Sequence, residues 1–535
     1  MTFATRAGIA LILLMVPAAW SAAAERGAIK PPLEEATIRE LQAEMAAGRL
    51  TSRQLVETFL ARIQAIDKEG PQLNSIAEIN PDAVDIAQRL DAERRSKGAR
   101  GPLHGVPILL KDNIDTADEM LTTAGSLAMV TSRPKQDAHH VKLLRDAGAV
   151  ILGKTNLSEW ANFRSMRSSS GWSARIGQTR NAYDPTRNPC GSSSGSGTAI
   201  AAGLAVVAVG TETDGSITCP SAANGIVGIK PTVGLVSQHG IIPISVSQDT
   251  AGPMTRNVED AVILLVAMMG RGPNDHASAH LGPLPDMRQL SDNMMRSLQP
   301  DGLKGARIGV ARNISGFHEG VVPILEDAIL ALTAGGAEVI DKTDLVMPKT
   351  LSEDEMTVLL YEFKDGLNRY LATRSDVPAT LADLIAFNEK QRDVELAYFG
   401  QEIFIAAQTK GPLTDKAYVE ARARGLAAAG KDGIDALIAA NRLDAIVAIT
   451  LGPAWTTDLL NGDRGLGGDI TQAPAVAGYP HITVPAGYLQ GLPIGISFIG
   501  PAYSEPTLIR LAYAFEQRTK ARRPPVLLPM RQAPK

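Results

Sequence analysis

The sequence predicts an α/β protein built on a large, mostly parallel, twisted mixed sheet with helices on both faces. Three observations carry this. Short apolar runs sit between Gly/Pro punctuation, as at 106–110. They are apolar at consecutive rather than alternate positions, the pattern of strands covered on both faces. Helical patterns alternate with them along the chain, which implies strand–helix–strand units.

The elements follow in order. Thr51-Ser52-Arg53-Gln54 reads as a capping box, and the helix after it carries Leu55, Val56, Phe59, Leu60 and Ile63 on one face. A second helix is expected over 82–95 and a buried strand over 106–110, with Lys111 at its end. A helical pattern at 138–147 stops at Gly148 and feeds a strand at 149–152. The serine-glycine stretch 191–197 opens a helix running to about residue 204, and a strand at 205–209 leads through Gly210 into a second serine loop. Residues 270–300 are rich in Pro, Asp and Met and predict a surface excursion. Further strands are expected at 304–310 and 445–449, with helices at 356–372 and 415–429 between them. Residues 482–485 and 494–498 read as paired strands, and a closing helix as 505–520.

The 535 residues read as one large domain, 25–535, behind a leader of 1–24. Within it we expect a core at about 70–260, a helical excursion at about 275–440, and terminal strands and a helix at 441–535. The leader has Arg6, an apolar stretch at 7–20 and small residues at 21–24, the pattern of a secretory signal cut near Ala24. The stretch is too short to span a bilayer comfortably and no cysteine follows the cut, so we expect a secreted or periplasmic protein with no stable membrane anchor. The net charge is −4 with no basic stripe, which argues against a nucleic-acid partner. Eight histidines without HExxH spacing and only two cysteines predict no metal, and no cofactor is expected. An exported chain permits a Cys190–Cys219 disulfide, but spacing alone gives no geometry, and two buried free thiols are the expectation.

The chemistry concentrates in two serine loops, Cys190-Gly191-Ser192-Ser193-Ser194-Gly195-Ser196-Gly197 and Thr211-Glu212-Thr213-Asp214-Gly215-Ser216-Ile217, with Lys111 upstream. A serine hydroxyl needs a base to become a nucleophile. Lysine serves only when neutral, which requires burial, and Lys111 ends an apolar run. The local alternative is a strand-end lysine paired with Asp112. Gly215 beside Ser216 lets main-chain amides approach a substrate closely, as in an oxyanion hole. Gly191-Ser192-Ser193-Ser194-Gly195 fits the GxSxG elbow centred on Ser193, but that elbow needs a strand directly before it, and residues 186–190 read as a turn. The loop also lacks the Walker spacing for phosphate.

These residues together resemble the amidase signature family. The resemblance extends over the segments 102–113, 154–160, 228–232 and 491–495, and so over nearly the whole mature chain. It implies the amidase-signature fold and hydrolysis of carboxylic amides through a Ser–cis-Ser–Lys triad and an acyl-enzyme. By motif, Ser216 resembles the nucleophile, Ser192 the bridging serine that follows a cis peptide bond, and Lys111 the base. The amides of Thr213, Asp214, Gly215 and Ser216 resemble the oxyanion hole, with Ser193 and Thr211 in support. Two departures stand out: Asp214 replaces the common glycine, and Thr218 the common arginine. With residues 158–163 and 171–175, these resemble the secreted bacterial peptide amidases, which implies C-terminal peptide amides as substrates. Trp160, Phe163 and Trp172 are candidates to line the pocket. Fatty-acid, aryl and small aliphatic amides are the alternatives. An exported solute-binding protein is the alternative of another class, and it leaves the serines and lysine unexplained.

Overall fold

Strand β2 (Pro107–Lys111) forms where expected, buried at every position, and sets the position of Lys111. The computed structural model describes residues 32–131, 133–272, 275, 281, 283–316, 318–465 and 470–527. The leader 1–24 lies outside the described residues, as does much of 273–282 in the expected surface excursion. Among the described residues no helix is long and apolar enough to cross a membrane.

The other strands are β1 (Ile76–Ile79), β3 (Val150–Thr155), the short pair β4 (Trp172–Ser173) and β5 (Gly177–Gln178), β6 (Val207–Glu212), β7 (Val227–Lys230), β8 (Thr250–Thr255), β9 (Arg307–Val310), β10 (Glu338–Ile340), β11 (Ala445–Ile449), β12 (His481–Leu489) and β13 (Leu492–Ile499). Eleven of them make one sheet in the order β1-β3-β2-β6-β8-β7-β12-β13-β11-β9-β10. The expected large mixed sheet is there. Its parallel pairs form two triplets, β3-β2-β6 and β11-β9-β10. Antiparallel pairs join the triplets through the centre, from β6 across β8, β7, β12 and β13 to β11.

The first helices follow their local signals. Thr51 Oγ1 accepts the Gln54 N–H and Gln54 Oε1 accepts the Thr51 N–H, so the capping box starts helix Ser52–Arg62. That helix buries Leu55, Val56 and Phe59. The excursion is helical, with Leu351–Leu371, Leu381–Lys390 and Glu402–Gln408 packing a small core of their own. Trp160 and Phe163 belong to that core, in edge contacts with Phe404 and Phe363. Arg164, buried with Glu159 at 2.8 Å and Glu395 at 3.7 Å, ties the excursion to the body.

One expectation is overturned. Cys190 and Cys219 are joined in a disulfide, with Cα atoms 6.0 Å apart. Spacing could not reveal this, because the sheet folds the two serine loops onto each other. The disulfide links residues 29 positions apart, a loop whose closure stabilises by about 3–4 kcal/mol in the chain-entropy account. Replacing both cysteines with alanine is therefore expected to lower Tm by several degrees in a thermal melt. An unchanged Tm would show that packing around Trp455, which sits against the pair, already holds the loops.

Candidate active site

Parallel neighbours end at the same sheet edge, and this brings Lys111 and Thr211 together. In the β2–β6 register Leu110 pairs with Val209, so Lys111 ends beside the start of 210–212. Lys111 is fully buried. Its Nζ lies 2.7 Å from Ser192 Oγ, 2.9 Å from Thr211 Oγ1 and 3.1 Å from the Thr211 carbonyl. Asn113 Nδ2 donates to the same Thr211 hydroxyl at 3.0 Å. The alternative pairing with Asp112 does not form. That carboxylate accepts from Thr123 and from Arg175 Nη1 at 3.0 Å.

Burial pushes the Lys111 pKa down to about 7, while the carboxylates of Asp249 and Glu212 oppose the fall. Lysine is thus neutral for a substantial part of the time near pH 7, which an exposed lysine never is. Asp249 is itself pushed up to about 6 by burial, against hydrogen bonds from Thr213 Oγ1 (2.6 Å) and the N–H groups of Ile244 and Ser245.

The first serine loop crosses the site before helix Ser194–Ala201. The Gly191–Ser192 peptide bond is cis. The Ser192 carbonyl accepts the Ser158 N–H at 3.1 Å, and its hydroxyl meets Lys111. Ser193 is not an elbow nucleophile, because no strand precedes it and its hydroxyl is engaged with Thr211. Ser193 Oγ donates to the Thr211 carbonyl at 3.0 Å and accepts the Thr211 N–H at 3.2 Å.

The second loop leaves β6 and turns at Gly215, whose φ of +74° is unfavourable for any residue with a Cβ. A Cβ there would also sit 3.1 Å from Thr471 Oγ1. Ser216 follows, 8% exposed, and its carbonyl accepts the Ser193 N–H at 3.1 Å. The two serine loops are therefore joined by the main chain as well as by the disulfide. Among the described residues the N–H groups of Thr213, Gly215 and Ser216 have no acceptor in hydrogen-bond range. The Asp214 carboxylate accepts from Thr471 Oγ1 at 2.5 Å.

Sequence reasoning anticipated Lys111, Ser192, Ser193, Thr211 and the 213–216 turn, and the structure gathers all of them at one sheet edge. It missed Glu212, Asp249, Asn113 and Thr471. Glu212 lay inside a loop already singled out. Asp249 and Thr471 arrive from distant segments and carry no local signal. Of the candidate pocket aromatics, Trp160 lines a small void with Asn113, Ala161, Ile242 and Phe363. Trp172 packs on Tyr398 and Phe399.

The chain is similar to several known proteins. The amidase family model matches residues 54–509. A probable amidase of Arabidopsis thaliana is 42% identical over 504 residues, with 92% of each chain covered. The crystal structure of native peptide amidase from Stenotrophomonas maltophilia superposes with a TM-score of 0.87 at 52% identity, over 93% of this chain and 99% of that one. A structure of the peptide amidase PAM with the competitive inhibitor chymostatin matches equally, with a TM-score of 0.87 and 52% identity over 92% and 99% of the chains. The chain belongs to the amidase signature family and is an amide-hydrolysing enzyme.

Proposed function

We propose that this enzyme hydrolyses C-terminal amides of peptides, releasing ammonia, through Ser216 as nucleophile, Ser192 as proton bridge and Lys111 as base. The observation that carries the reading is a fully buried lysine, with its pKa brought to about 7, 2.7 Å from the Ser192 hydroxyl.

Neutral Lys111 takes the Ser192 proton as Ser192 takes that of Ser216. The Ser216 oxygen attacks the amide carbonyl, and the oxyanion falls to the main-chain N–H groups of the turn formed by Thr213, Asp214, Gly215 and Ser216. The relay then returns a proton to the leaving nitrogen, and ammonia departs. Water enters by the same relay, attacks the ester and frees the acid. Ser193 and Thr211 hold the relay in register through their reciprocal hydrogen bonds.

Peptide amides are favoured among amide substrates by the 52% identity to a peptide amidase over nearly its full length. Export to an oxidising compartment is part of the proposal. It is supported by the leader's charge and apolar pattern and by the disulfide, a bond that persists outside the cytosol.

Ammonia release from an N-acylated dipeptide amide tests the substrate class. Turnover of this amide, with little on a fatty-acid amide or an anilide, is the expected result. Turnover confined to the latter two would overturn the peptide-amide assignment.

A further inference from the structure

We propose that Glu212 is a positioning residue for the reaction: its carboxylate clamps the main chain immediately after Ser216, and so fixes where the nucleophile's hydroxyl stands. The inference rests on the reading of Ser216 as nucleophile and adds a residue to it.

Glu212 closes β6 and is 1% exposed. One of its oxygens, Oε2, accepts three hydrogen bonds. They come from the N–H of Ile217 at 2.7 Å, the N–H of Thr218 at 2.9 Å and the Thr218 hydroxyl at 3.2 Å. Residues 217 and 218 directly follow Ser216 and begin the short helix Thr218–Ala223. The seven-residue loop 212–218 is therefore closed on itself by one side chain, with Ser216 inside it. Next to the nucleophile, the Ser216 carbonyl accepts the Ser193 N–H and the Gly215 carbonyl accepts the Cys219 N–H. Both of those act on carbonyls, and neither holds the amides that follow the nucleophile.

The other oxygen, Oε1, is buried with no hydrogen-bond partner among the described residues. A buried carboxylate in that condition needs a charge nearby. Lys230, at the end of β7 and fully buried, supplies it. Its pKa is pushed down to about 8 by burial, and Glu212 is the largest influence holding it up, ahead of Glu505 and Asp214. Its ammonium donates to the Pro231 carbonyl at 3.3 Å. Thr218 stands where the common family loop has arginine, and here its hydroxyl and N–H both serve the clamp.

The consequence is kinetic. Displacing a reacting group by about 1 Å costs on the order of 100-fold in rate without altering ground-state binding to the same extent. Steady-state ammonia release from an N-acylated dipeptide amide, with Tm measured on each variant, tests it. Glu212→Ala is expected to lower kcat by roughly 100-fold and to move KM by less than about threefold. Glu212→Gln keeps an acceptor oxygen in the same place and is expected to retain at least roughly a tenth of wild-type kcat. A Glu212→Ala enzyme with kcat within about threefold of wild type overturns the proposal. So does a folded Glu212→Gln enzyme as slow as Glu212→Ala. If Glu212→Ala does not fold, Thr218→Val carries the test, since it removes one donor and keeps the shape. A kcat loss of roughly fivefold at constant KM is expected, and no change overturns the clamp. An inactive Ser216→Ala beside a fully active Glu212→Ala sinks this inference alone, whereas an active Ser216→Ala sinks the reading beneath it.

Discussion

Ser216→Ala is expected to lower kcat by roughly 10⁴- to 10⁶-fold while leaving Tm within about 1 °C of wild type. The loss is large because in the proposed reaction Ser216 forms the covalent bond, and the two nearby loop serines are already engaged. Ser193 Oγ is engaged on both sides by Thr211, and Ser192 Oγ sits on Lys111. Stability should not change because the substitution deletes one hydroxyl and leaves intact the Ser216 carbonyl bond to Ser193. Residues that act as one relay are not additive, so Ser192→Ala combined with Ser216→Ala should be no slower than Ser216→Ala alone. Ammonia release and covalent labelling by a serine-directed fluorophosphonate read both points. A Ser216→Ala enzyme that still labels, or that keeps more than about a hundredth of wild-type kcat, assigns the nucleophile elsewhere.

Lys111→Met should abolish turnover and yet not destabilise the fold. The folded-state pKa of Lys111 is about 7, against 10.5 for an unperturbed lysine. Between those values the unfolded chain holds a proton that the native state has lost, so this group makes stability rise with pH from about 7 to about 10.5. Below pH 7 its penalty is fully present, on the order of 5 kcal/mol by the size of the shift. Methionine removes that penalty, offset by the partner lost at Ser192 at about 1–3 kcal/mol, while Thr211 keeps its bonds from Asn113 and Ser193. The expected result at pH 6 is a Tm equal to or above wild type, with kcat down by at least roughly 1,000-fold. In the wild-type enzyme the same titration gives kcat/KM an acid limb centred near pH 7, rising to a plateau in alkali. A maximum below pH 6, or a Lys111→Met enzyme markedly less stable at that pH, would show that Lys111 is a structural cation rather than a base.

Much of the body was legible in the chain because the signals are local. The apolar run ending at Lys111, the capping box at Thr51 and the Gly148 stop each act within a few residues, and each formed as expected. The central strands β7 and β8 were missed. Strand β8 reads Thr250-Ala251-Gly252-Pro253-Met254-Thr255, with glycine and proline where a strand normally carries branched residues. It becomes a strand because Met254 and Pro253 lie opposite Ala208 and Val209, between neighbours that supply the pairing. The parallel triplets follow from strand–helix alternation. The antiparallel centre does not, since no local pattern states which strands will be neighbours.

For the site, Lys111, Ser192 and Ser216 stood out in the chain through two serine-glycine loops and an apolar run ending in lysine, and the relay proposed for them came from the resemblance of those motifs to the amidase signature. Only the tertiary structure shows how the lysine is surrounded. Its pKa depends on complete burial and on Asp249 and Glu212, and Asp249 comes from a segment well over a hundred residues away along the chain. The disulfide and the Glu212 clamp belong to the same class. Electrostatic and packing energies depend on distance in space, which the order of residues along a chain does not contain.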